Sequence, residues 1–306
     1  IDVNSPSGSI PESLFATFQM TFAIITPALM IGAFVERIKF SAMLIFLSMW
    51  LLVVYVPVTH WVWGGGILSS WGTMDFAGGI VVHATAGTAA LVTALTLGKR
   101  RGFPKSITPP HSPILTMIGA SMLWIGWFGF NAGSALGANG GAGMAMLVTH
   151  ISAATASLVW MFIEWRRFGK PSLIGIVTGM VAGLATVTPA SGYIGVPGGL
   201  VLGFFGGLFC YLAVDYIRGK LQIDDSLDVF AVHGVGGILG TLLVAFLATS
   251  TFSGLGLAEG QTAISQFFVQ LKAVVLTVVW TSVFTYLILK ITSSIVPLRV
   301  DEQEEI

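Results

Sequence analysis

The sequence predicts an all-α membrane protein, a polytopic helical bundle of nine spans built on an inverted repeat. Three observations carry that expectation. Only 9% of the 306 residues are charged, against about 25% in a soluble domain. So little charge cannot cover a water-facing surface, and lipid is the solvent for most of the chain. Nine apolar stretches approach or exceed the roughly 20 residues a helix needs to cross the hydrocarbon core. The basic residues between them fall on alternate connections.

The stretches are, in order, 13–35, 42–59, 77–97, 114–130, 141–163, 173–187, 196–217, 229–249 and 264–293. The sixth is short for a span. The ninth is long, so it tilts or runs past the interface. Arg37 and Lys39 follow the first stretch; Lys99, Arg100, Arg101 and Lys105 the third; Arg166, Arg167 and Lys170 the fifth; Arg218 and Lys220 the seventh; Lys290 and Arg299 the ninth. Lys and Arg mark cytoplasmic connections, which puts the N-terminus of this chain outside and its C-terminus in the cytoplasm. Lys272 breaks the pattern. Inside the ninth stretch it costs about 2.5–3.5 kcal/mol at the bilayer centre unless it snorkels or pairs, and the sequence offers it no partner. Gly175, Gly179 and Gly183 in the sixth stretch, and Gly199, Gly203 and Gly207 in the seventh, form small-residue faces that let helices pack at close range. No connection is long enough for a second domain, so 1–306 reads as a single membrane domain, with 298–306 the start of a short acidic cytoplasmic tail.

Several function classes drop out at this level. A net charge of zero argues against a nucleic-acid partner. The single Cys210 excludes an internal disulfide and a cysteine metal cluster. The spans carry no paired carboxylates, metal-ligand set or activated nucleophile, so neither an enzyme nor a cofactor is expected.

What the spans do carry is two imidazoles in related surroundings. DFAGGIVVHATAG places Asp75 eight residues before His83, and DDSLDVFAVHGVGG places Asp225 eight before His233. Each histidine follows a valine and precedes a glycine by four: Val82, His83 and Gly87; Val232, His233 and Gly237. The third span runs inward and the eighth outward, so the matching motifs sit on antiparallel helices. That is the mark of an inverted repeat, whose shared site tends to lie near the bilayer midplane. A buried ionisable group in a span is a functional candidate. Desolvation disfavours the imidazolium, so both rings are expected neutral, and neutral rings can share a hydrogen bond, one nitrogen donating and one accepting. Two separate packing histidines are the bland alternative. Of the remaining histidines, His60 reads as part of an outer Trp-rich loop, His111 as part of a Pro-rich cytoplasmic loop, and His150 as a packing or inter-subunit residue of the fifth span.

Aromatic residues gather at the outer ends. HWVWGGG and the segment after it bring Trp61, Trp63 and Trp71 ahead of Asp75, and the fourth span ends in WIGWFGFNAGSA. An aromatic face attracts a cation by about 0.5–2 kcal/mol, and a hydroxyl such as that of Ser134 accepts a hydrogen bond from it. An interfacial aromatic belt explains some of these residues equally well. Asp75 reads first as a helix cap and second as a source of negative potential at the mouth.

The ordered set FQMTFAIITPALMIGAFVER, HWVWGGG, DFAGGIVVH, GWFGFNAGSA, GKPS, TPASGYIG and DDSLDVFAVHGVGGILG resembles the ammonium transporter family (Amt/Mep/Rh), on its bacterial Amt side, from about residue 10 to the tail. The resemblance implies a channel-like transporter of ammonium. It matches Trp63, Phe22 and Ser134 to an outer recruitment site, Phe22 and Phe130 to a stacked phenyl gate, and His83 and His233 to a pore pair. It matches Asp75 to the acid near the mouth, part structural and part electrostatic. It implies a homotrimer in the cell membrane with one pore per subunit, and a PII signal protein as a cytoplasmic partner. The family pattern has eleven spans, and this chain starts where the third would begin. The implied route desolvates the cation outside, removes its proton and passes ammonia beside the imidazoles. A sensor signalling through partners and a pore for another small neutral solute are the alternatives.

Overall fold

The computed structural model of the protein describes residues 5–106, 109–301 and 303–305. Among the described residues, eight helices are long and apolar enough to cross a membrane: α1 (Glu12–Ile31), α2 (Phe40–Ser70), α3 (Gly79–Leu97), α4 (Pro113–Gly133), α5 (Gly140–Phe168), α7 (Val196–Lys220), α8 (Phe230–Leu247) and α9 (Ala263–Ile295). Between α5 and α7 lies the shorter apolar helix α6 (Leu173–Val187). Nine helices thus stand where the nine apolar stretches are. A small hairpin pairs Pro6–Ser7 with Ile10–Pro11 ahead of α1.

The shortness of α6 has a reason. The chain after it, residues 188–195, is not helical yet stays largely buried. Irregular backbone survives at membrane depth only where protein covers it. Here it packs against the chain leading into α3: Phe76 N–H donates to Pro189 O at 3.0 Å, and the Phe76 and Tyr193 rings meet edge-on at 5.6 Å. At 33 residues, α9 is about 50 Å long by its rise per residue, so it continues beyond the hydrocarbon.

Burial grades from the centre outward. Of the apolar windows that qualify each helix, 78% of α3 and 61% of α8 lie inside the bundle, against 17% for α1 and 11% for α4. α3 and α8 therefore form the core of the fold. Their crossing is reciprocal. A Cβ on Gly87 would run into the backbone of Gly234, the residue after His233, and a Cβ on Gly237 would come to 2.5 Å from His83 Cβ and 2.8 Å from Gly79 O. Each glycine four residues beyond a histidine thus makes room for the histidine-bearing turn of the other helix. The contacts run in opposite chain directions, as an inverted repeat requires.

The polar groups between the C-terminal end of α1 and the N-terminal end of α8 are tied together. Arg37, fully buried, pairs with Asp224 at 3.2 Å and also donates to Ser226 Oγ and to the carbonyls of Ala33 and Asp224. Arg100 joins Asp224 at 2.9 Å and Glu36 at 2.5 Å. The tail lies across these ends: Lys39 N–H donates to Leu298 O, Val300 N–H to Arg37 O, and Arg299 to the carbonyls of Leu97 and Lys99 that end α3.

Two sequence expectations need correction. Lys272 does have a partner: the residue is exposed, and its ammonium sits 5.0 Å from the centre of the Trp71 ring, a cation–π contact. His60 lies in helix rather than loop, because α-helix continues through Trp63.

Candidate functional site

His83 and His233 face each other inside the α3–α8 crossing, Nδ1 to Nδ1 at 3.2 Å, with ring centroids 5.2 Å apart and planes 20° from parallel. One nitrogen must donate and the other accept, so the pair shares a single proton across that contact. Both side chains start from a π-helical turn, Gly79–Ala84 in α3 and Phe230–Gly234 in α8. Such single-turn widenings rotate the side chains that follow relative to a regular helix, and they cluster at functional sites. Sequence reasoning missed both turns. His83 Nε2 is buried with no hydrogen-bond partner among the described residues.

A column of rings leads from Trp63 to His83. Trp63 meets Phe22 edge-on at 5.5 Å, Phe22 lies 4.5 Å from Phe130, and Phe130 stacks on His83 at 5.9 Å. Trp127 lies flat against the other rings, 5.4 Å from His83 and 5.1 Å from Phe130, and its indole N–H is fixed by Thr188 Oγ1 at 2.9 Å. Each such pair contributes about 0.5–1.5 kcal/mol beyond area burial. Trp127 was not singled out from sequence. Its three-residue spacing from Phe130 puts both on one face of α4, and that was the available signal. Ser134, one turn beyond Phe130, donates to Phe130 O at 2.9 Å, which leaves its lone pairs to accept.

Asp75 closes the N-terminal end of α3. One carboxylate oxygen accepts from Gly78 N–H (2.9 Å) and Gly79 N–H (2.6 Å), the other from Ile80 N–H (2.8 Å) and Val81 N–H (3.1 Å). These are the donors a helix start leaves unpaired. Burial pushes this carboxyl above its ordinary range, and the four N–H bonds pull the other way. The backbone carbonyl of Asp75 accepts the Trp63 indole N–H at 2.8 Å, so the residue also orients the outermost ring of the column. Its counterpart Asp225 accepts the Phe230 N–H at 2.6 Å, and its second oxygen has no hydrogen-bond partner among the described residues. His150 stays apart from this site: it is exposed, with the rings of Trp124 and Phe128 at 5.2 and 6.0 Å. Among the described residues no group of three metal-binding side chains comes together.

Comparison with known proteins gives a consistent answer. The model of the Ammonium Transporter Family matches residues 2–306. The chain is similar to an ammonium transporter of Aquifex aeolicus, 46% identical over 99% of this chain and 71% of that protein. It is also similar to ammonium transporter Amt1 of Archaeoglobus fulgidus, 47% identical over 96% of this chain and 74% of that one. Among solved structures it resembles Saccharomyces cerevisiae Mep2, with a TM-score of 0.83 and 37% identity over 96% of this chain and 70% of the other. It also resembles a chain titled Sensor Amt Protein, with a TM-score of 0.91 and 30% identity over 99% and 77%.

Proposed function

We propose, from the premise that this chain belongs to the Ammonium Transporter Family, that it moves ammonium across the cell membrane by stripping the ion of its proton and passing ammonia. Members of the family are transporters, not enzymes. The single observation that carries this reading is the joining of the aromatic column to the imidazole pair. Trp63, Phe22, Phe130 and His83 form an unbroken line of rings that ends on the 3.2 Å contact with His233.

The chemistry follows from that line. At the outer end Trp63 and Phe22 offer ring faces and Ser134 offers a hydroxyl, which together replace part of the hydration shell of a small cation. Phe22 and Phe130, in contact at 4.5 Å, act as the phenyl gate beneath. Past the gate the walls are apolar. A permanent cation pays the full desolvation cost there, whereas ammonium escapes it by giving its proton to water at the mouth and entering as ammonia. The free Nε2 of His83 then offers the neutral molecule a hydrogen bond. Potassium has no proton to lose and stays outside. Asp75, with both oxygens engaged by N–H donors, serves as cap and as negative potential near the mouth.

The N-terminus of this chain lies outside and its C-terminus in the cytoplasm, as the alternating basic connections support. The working assembly is a homotrimer with one pore per subunit, and the cytoplasmic face is where a PII signal protein would dock. A second reading, an ammonium sensor signalling through partners, draws support from the likeness to the chain titled Sensor Amt Protein. A pore for another small neutral solute is separated by competition in flux assays.

The test is the double variant His83→Ala with His233→Ala in the complete protein, measured as ammonium-dependent current against potassium. Loss of the selective current is expected. An unchanged current with unchanged selectivity would remove the pair from the mechanism.

A further inference from the structure

α9 carries two buried glutamines one turn apart, Gln266 and Gln270, 3% and 0% exposed. An amide inside a membrane helix is costly unless its polar atoms are satisfied, and here most of the satisfaction comes from the segment just before Asp75. Gln270 Oε1 accepts from Met74 N–H at 2.8 Å, and Gln270 Nε2 donates to Met74 O at 2.7 Å, a two-point grip on one peptide backbone. The same Nε2 also donates to Thr241 O in α8 at 2.9 Å. Gln266 Nε2 donates to Gly72 O at 3.0 Å and to Gln270 Oε1 at 3.2 Å. Two residues further along α9, Lys272 covers the Trp71 ring.

The gripped segment is the one that orients the outer aromatic site. Met74 precedes Asp75, whose carbonyl accepts the Trp63 indole N–H at 2.8 Å and whose carboxylate caps α3. Trp63 in turn meets Phe22 at 5.5 Å. A continuous chain of bonds therefore runs from Gln270 through the Met74–Asp75 backbone to the outermost ring. An amide that only needed satisfaction would find it on its own helix or on one carbonyl. A two-point backbone grip fixes position as well.

We infer that Gln270, braced by Gln266, is a positioning residue for the outer cation site: it sets where Trp63 stands and so how well the site recruits a cation. This rests on the proposed recruitment of ammonium at Trp63. Gln270 touches neither the rings nor the imidazole pair, so its loss acts on capture and leaves passage alone.

The experiment measures methylammonium uptake against concentration in the complete protein, for wild type, Gln270→Met, Gln266→Met and Trp63→Leu. Gln270→Met keeps side-chain length and removes the grip. It is expected to raise the half-saturating concentration about tenfold while the maximal rate stays within about twofold, the signature of lost binding rather than lost turnover. Gln266→Met, which removes one bond to the loop, is expected to shift it about two- to threefold in the same direction. A fall in maximal rate at unchanged half-saturation would mark Gln270 as structural only and overturn the inference. Should Gln270→Met fail to reach the membrane, Gln266→Met decides, and unchanged half-saturation there overturns it. A response to Trp63→Leu without one to Gln270→Met overturns this inference alone. No response to Trp63→Leu overturns the recruitment reading and this inference with it.

Discussion

The two histidine helices share a motif and a crossing but end differently. At the N-terminal end of the α3 motif, Asp75 has both oxygens filled by four N–H donors, and the histidine beyond it is sealed under Trp127 and Phe130. At the N-terminal end of the α8 motif, Asp225 accepts the Phe230 N–H, its second oxygen is unpartnered among the described residues, and its surroundings are ion pairs: Arg37 with Asp224, Arg100 with Asp224, Arg218 with Asp228. His233 keeps 7% exposure where His83 has none. Duplication supplies the pair of imidazoles; what covers each end makes one mouth aromatic and the other ionic. On the proposed mechanism that division is functional, because the charged form has to be recognised on the aromatic side and lost before the imidazoles.

Three measurements break or sharpen this contrast. The largest effect is expected at the inner end from Arg37→Met. It leaves Asp224 buried with only Arg100 as a charged partner, and breaking one side of a buried pair costs about 3–5 kcal/mol. Thermal unfolding in detergent reads this, and a loss comparable to an exposed pair would mean the ionic mouth is not what holds that end. The crossing itself comes next. Gly87→Ala and Gly237→Ala each push α3 and α8 apart at a histidine turn, for about 1–3 kcal/mol. Gly87→Ala is expected to cost more, because its new Cβ would come to 2.3 Å from the Gly234 backbone, against 2.5 Å from His83 Cβ and 2.8 Å from Gly79 O for Gly237→Ala. Both should lower uptake, and equal stability with equal uptake would show that the reciprocal contact is not critical. The last measurement reads only a difference, that between the two acids. Asp75→Asn sets an amide donor against N–H donors and should cost about 2–3 kcal/mol, since bonds to a charged group are the strong ones. Asp225→Asn keeps an oxygen for Phe230 N–H and should cost less than about 1 kcal/mol. Equal melting shifts would erase the asymmetry.

How much of this was readable from the chain differs by element. The nine helices were legible because lipid demands long apolar runs, and because Arg and Lys mark alternate ends. The Asp–His–Gly motif was legible as an inverted repeat, but not what its glycines do. Only the structure shows that Gly87 and Gly237 each clear space for the other's histidine turn. The 3.2 Å ring contact was out of reach, since an uncertainty of a few residues in a helix boundary is several ångströms of axial position. The π-helical turns left no trace in residue type, because a shift of hydrogen-bond register needs no special side chain. Gln270 was missed for a similar reason. A glutamine in an apolar helix looks like any tolerated polar residue until its partners, Met74 and Thr241, prove to be distant in sequence.

The graded burial of the bundle has a mechanical outcome. With α3 and α8 shielded and helices such as α4 forming the wall, a membrane of different thickness is felt first at the wall, which answers by leaning. Acyl-chain length would then alter the tilt of the periphery while the spacing of the two rings stays as the crossing glycines set it.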